Sequence, residues 1–133
     1  MPRFAILRHD SPRRLHWDLL LEMGERLKAW RLPQPPQAET EIVCEALPDH
    51  RPIYLDYEGP VSDGRGSVAR WDHGNYQLQH ESDAELVVEL AGQKMQGQAS
   101  LSRLPEKPAT WRLLLTRPKV SPLPPGDGQG VRA

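Results

Sequence analysis

Apolar alternation broken by turn chemistry every eight to twelve residues is the feature that most limits what this chain can become. No segment sustains a 3.6-residue apolar period, so a helical fold has no faces to pack with. Short apolar runs are instead punctuated by Ser11-Pro12, Met23-Gly24-Glu25, Pro33-Gln34-Pro35-Pro36, Asp63-Gly64-Arg65-Gly66 and Asp72-His73-Gly74-Asn75. Strands are expected at 3–9, 16–22, 26–32, 40–47, 67–72, 75–80, 85–90, 94–104 and 109–117. Residues 72–75 read as a hairpin turn, and 49–60 as a loop with one helical turn. Such a series builds a β-sandwich or a β-barrel, and closure into a barrel removes exposed strand edges. The expected fold is all-β: a small closed or partly open β-barrel of about eight strands with long loops and little helix.

The 133 residues fit one domain, expected over 1–118, with a flexible Pro/Gly-rich tail over 119–133. No apolar run approaches the roughly 18 residues of a membrane-spanning helix, and the N-terminus is too charged for a signal peptide. A single cysteine, Cys44, excludes an internal disulfide, reads as a buried strand residue, and fits a cytoplasmic location. Charge is uneven: residues 1–31 hold seven Lys/Arg against four Asp/Glu, whereas 39–58 hold six acids against Arg51 alone. The overall pI of about 6.5 argues against strong non-specific duplex binding, but leaves room for a local basic rim.

The stretch His9 to Glu22 carries the densest chemistry. His16 and Asp18 are two residues apart, so in a strand both leave the same face. The Ser11-Pro12 turn folds the strand that ends at His9 back against them. Two imidazoles and one carboxylate then converge, a set that leaves coordination positions open and suits Mn²⁺, Zn²⁺ or Fe²⁺.

In order along the chain, His9-Asp10, Leu15-His16-Trp17-Asp18, Leu27-Lys28-Ala29-Trp30, His50…Tyr54, Asp56-Tyr57-Glu58-Gly59 and Val68…Trp71-Asp72 resemble the 3′-phosphoesterase domain of bacterial DNA ligase D. The resemblance spans residues 3 to about 117. It implies a small β-barrel enzyme, usually manganese-dependent, that removes a 3′-phosphate or a terminal ribonucleotide from DNA or RNA–DNA 3′ ends. It assigns His9, His16 and Asp18 to the metal, and His50 and Tyr54 to catalysis at the phosphate. Any end-joining ligase or polymerase partner would be a separate protein, and no membrane partner is implied.

The chain departs from that pattern where phosphate-gripping cations are expected. Leu20 stands two residues after the metal aspartate in place of arginine. Gln34 replaces a lysine, and the strand around Ile42 carries no Lys or Arg. Arg13, Arg14, Arg51 and Arg65 are the candidates to replace them, and Asp10 is a further candidate for substrate contact. Two other functions follow from the losses: a catalytically weak or inactive relative that binds DNA ends or a protein, and a metal enzyme for a small phosphoester.

Overall fold

In the computed structural model, residues 1–117 are described; the expected tail over 119–133 lies outside them. The strands are β1 (Arg3–Asp10), β2 (Leu15–Met23), β3 (Arg26–Leu32), β4 (Glu41–His50), β5 (Gly59–Pro60), β6 (Ser67–Glu81), β7 (Glu85–Gly92), β8 (Gln96–Leu104) and β9 (Lys107–Thr116). A single 3-10 turn, Pro52–Leu55, follows β4. The strands pair in the order β1-β2-β3-β4-β9-β8-β7-β6, all antiparallel, and β1 pairs with β6 to close the ring; β5 adds to the other edge of β6. This is the closed all-β barrel that the alternation predicts.

Period-2 patterning sends alternate residues into two separate cores. Phe4 and Ile6 of β1, Leu19 and Leu21 of β2, and Trp30 and Leu32 of β3 face the lumen and pack with residues of the other long strands. Burying each large apolar side chain there contributes roughly 1.5–3 kcal/mol. An interior void of about 10 Å³ is lined by Ile6, Leu19, Leu90, Leu113 and similar side chains, so the lumen is filled. The opposite parity, with Leu7, Leu20 and Leu27, forms a second core on the outside of the wall, beneath Leu55 and beside Val68, Tyr54 and Tyr57. The segment between β4 and β6 therefore roofs one outer face of the β1–β3 sheet.

Three expectations are corrected. Residues 72–75 are no hairpin turn; β6 runs unbroken for 15 residues. Gly74 is needed because it lies flush on β7, where a Cβ would collide with the Ala91 carbonyl. Asp72 is buried, and its carboxylate accepts the N–H groups of His73, Gln93, Lys94 and Met95. The register against β1 shifts at Trp71, a bulge that bends β6 so that it pairs with β1 and then with β7. Second, β4 extends three residues beyond 47, so His50 sits at a strand end paired with Leu27. Third, the loop over 49–60 contains β5.

Cys44 is buried, as expected, and burial pushes its thiol up to about 12. The thiolate fraction at about pH 8 then falls on the order of 10³-fold below that of a free thiol. Iodoacetamide labelling of the native protein should be slower by at least that factor, and should recover in denaturant. Fast native labelling would contradict the packing of β4 on β9.

Candidate metal centre and cleft

The turn between β1 and β2 is set by Ser11. Its hydroxyl donates to the Arg14 carbonyl (2.6 Å) and accepts the Arg14 N–H (3.2 Å). This fixes His9 opposite His16 and Leu7 opposite Asp18. All three polar side chains leave the outer wall, next to the second core. The imidazole centroids lie 4.5 Å apart. One potential ligand atom from each of His9, His16 and Asp18 lies within 4.8 Å of the others. The hairpin thus brings together the three residues that the sequence singled out.

The supporting bonds suit a cation. His9 Nε2 is 2.7 Å from the Arg65 carbonyl, which can only accept, so Nε2 carries a proton; Nδ1 faces Asp18 and offers a lone pair to a cation in the neutral ring, or a second N–H to the carboxylate in the protonated ring. Gly66 makes this bond possible: its φ is +91°, and a Cβ there would strike the Asp10 carbonyl. Asp18 Oδ1 lies 3.0 Å from His16 Nδ1, and Oδ2 lies 3.5 Å from His9 Nδ1. Burial pushes the Asp18 carboxyl up, but the bonds to His16 and His9 outweigh it and hold the group below its ordinary value. The same carboxylate raises His9, against partial desolvation. His9, His16 and Asp18 thus fit a divalent ion by donor type and by outer support.

The triad separates two lobes of one groove. The first, about 480 Å³, is walled by His50, Arg51, Tyr54, Leu47, Val61 and Arg65 beside the triad. His50 Nδ1 donates to the Pro48 carbonyl at 2.9 Å, leaving Nε2 uncommitted. The His50 and Tyr54 rings meet edge to face at 5.9 Å, and the Arg51 guanidinium carbon is 6.0 Å from the Tyr54 ring centre. Leu55 anchors this wall in the second core. Asp56, bridged by Arg3 and Arg70, clasps it to the barrel; the bond from Arg3 holds the exposed Asp56 carboxyl below its ordinary value.

The second lobe, about 620 Å³, is bordered by Arg13, Arg14, Arg31, Glu45, Gly64 and Arg65. Arg14 and Arg65 therefore reach the groove, although the Arg65 side chain is tied to Ser62 through its carbonyl (2.9 Å) and hydroxyl (3.0 Å). Asp10 is exposed and, one residue beyond His9, leaves the opposite face of β1. Leu20 is fully buried in the second core, Ile42 is buried in the lumen, and Gln34 is exposed in the Pro-rich connection.

Sequence reasoning missed Arg31. It lies opposite Asp18 on β3 and borders both lobes. The signal was available: counting outward from the Gly24-Glu25 turn, each residue of β2 meets one of β3, and Asp18 meets Arg31.

A family model described as the DNA Ligase D 3′-phosphoesterase domain matches residues 7–103. The multifunctional non-homologous end joining protein LigD of Pseudomonas aeruginosa is 30% identical over 124 residues, covering 84% of this chain and 15% of that protein. Its namesake from Mycolicibacterium smegmatis is 29% identical over 115 residues, covering 74% and 15%. The chain thus spans about 15% of the length of these curated relatives. With the match running from β1 through β8 and taking in the triad, the chain belongs to the DNA ligase D 3′-phosphoesterase domain family.

Proposed function

We propose that this protein is a divalent-metal-dependent phosphoesterase that removes a 3′-phosphate or 3′-ribonucleotide from DNA or RNA–DNA ends, with Mn²⁺ as its ion and Zn²⁺ or Fe²⁺ as alternatives. The observation that carries this reading is the convergence of His9, His16 and Asp18 in a groove that His50 and Tyr54 also line. A cation held by the triad supplies Lewis-acid polarisation of a phosphoryl oxygen. His50, with Nδ1 bonded to Pro48, holds or delivers a proton at Nε2. Tyr54 donates its hydroxyl hydrogen to a phosphate oxygen and orients it. Family membership and the end-joining name of the relatives support ends of nucleic acid as substrate, with separate ligase or polymerase proteins as partners.

The test is release of phosphate from a 3′-phosphorylated DNA primer. Release is expected with Mn²⁺ and not with EDTA, and His50→Ala should lower it by roughly 10²–10⁴-fold. Release indifferent to EDTA or to that substitution would refute the assignment. The loss of a phosphate-gripping cation at position 20, where an apolar Leu20 is buried instead, favours a second reading, end binding without turnover. It predicts retention of the primer with no phosphate released under any divalent ion.

A further inference from the structure

Arg31 stands directly opposite Asp18 across the β2–β3 pair. Facing residues of an antiparallel pair leave the same side of the sheet, with Cβ atoms about 4.5–5.5 Å apart. The guanidinium therefore begins beside the triad. It is nevertheless not the partner of Asp18, whose two oxygens face His16 and His9. The remaining carboxylate in reach is Glu45, with Nη1 at 3.7 Å from Oε1 in an exposed pair, beyond hydrogen-bond distance and weak in water. Meanwhile Nε is buried and has no acceptor. A buried N–H donor without an acceptor is uncommon in a folded protein. Here it sits on a cation that borders both lobes of the groove and a third recess of about 270 Å³ shared with Arg14 and Glu45.

With Nε buried, the exposure of this half-exposed side chain lies toward its terminal nitrogens, and a guanidinium end held only loosely by Glu45 beside the triad is suited to a tetrahedral oxyanion. Such a fork binds two oxygens at once, which an ammonium cannot do. We propose that Arg31 grips the non-bridging oxygens of the terminal phosphate with its two terminal nitrogens. The inference rests on the phosphoesterase reading and names the cation on β3 that fixes the phosphate.

The test is equilibrium binding in the presence of Mn²⁺, in the His50→Ala background so that turnover does not interfere. The ligands are a fluorescent DNA oligonucleotide ending in 3′-phosphate and the same strand ending in 3′-hydroxyl. The parent should prefer the phosphate. Adding Arg31→Ala should weaken binding of the phosphorylated strand by about tenfold or more, leave the hydroxyl strand little changed and so narrow the preference, with Arg31→Lys recovering part of it. Mn²⁺ affinity, read by electron paramagnetic resonance, should change by less than about threefold, because Arg31 is not a ligand. A preference undiminished by Arg31→Ala overturns this inference alone, as does a parallel collapse of Mn²⁺ affinity, which would mark a structural role. A parent that binds neither Mn²⁺ nor the phosphorylated end overturns both this inference and the reading beneath it.

Discussion

Asp18→Asn is expected to lower Mn²⁺ affinity by at least about 10²-fold and to remove 3′-phosphate release with it. Asp18 is the one acid of the triad, and each of its oxygens faces a different imidazole. Asparagine keeps the volume but supplies one neutral oxygen, so charge and convergence fail together. Two readouts other than activity check this. A saturating ion at about 100 times its dissociation constant should stabilise the wild type by about 2.7 kcal/mol, and the variant should show no such gain. The metal-free protein carries a second signature. His9 is raised, so its share of stability is complete below the ordinary 6.5 and is lost as pH rises through the raised value. Asp18 is lowered, so its share is complete above the ordinary 3.8 and is lost as pH falls through the lowered value. Both are present between those ordinary values. Urea midpoints of the metal-free wild type should therefore drop from about pH 5.5 to about pH 8 more than those of Asp18→Asn. Equal changes in the two proteins would show that the pair is not formed.

Asp72→Ala should produce the largest loss of stability. Four backbone N–H groups converge on this carboxylate, at 2.8 Å from His73 and Gln93, 3.1 Å from Lys94 and 2.7 Å from Met95. Three of them belong to the β7–β8 turn, which has no other acceptor of this kind among its bonds with the described residues. A hydrogen bond to a charged group contributes about 1.5–3 kcal/mol, and water will replace part of what is lost at the exposed Lys94. A net cost of about 3–5 kcal/mol follows, and a melting temperature lower by roughly 10 °C or more. Asn should lie between, because one oxygen remains. A melting curve for Asp72→Ala that overlays the wild type would show that the turn does not depend on this carboxylate.

The contrast between Asp18 and Asp72 marks what the sequence could disclose. Asp18 and His16 are legible because strand alternation places them on one face, and the adjacent turn returns His9 to them. Every step is local. The third strand, 26–32, is read to the residue for the same reason. Asp72-His73-Gly74-Asn75 has the composition of a turn, yet each reason for it lies elsewhere in the chain. Gly74 yields space to β7, and Asp72 serves the turn after it. Composition records that a glycine and an acid are needed, not which segment needs them. Arg31 escaped notice for a related reason: its importance comes from the register of two strands, not from its neighbours in sequence. Leu20 shows the reverse. Its departure from the family pattern is visible in the sequence, but its explanation is the apolar roof formed by Leu55 some thirty-five residues later.

The triad stands on the outer surface of a barrel whose lumen is filled. Among the described residues, a ligand of this groove meets the wall from solvent, without passing through the lumen. The strands act as a solid backing plate, and the groove is shaped jointly by that plate through Arg31, by the β1–β2 turn through Arg13 and Arg14, and by the segment laid across them through His50, Tyr54 and Arg65. Side chains of this segment that face the groove can change without touching the filled lumen, whereas a change at Leu55 disturbs the second core in which it packs.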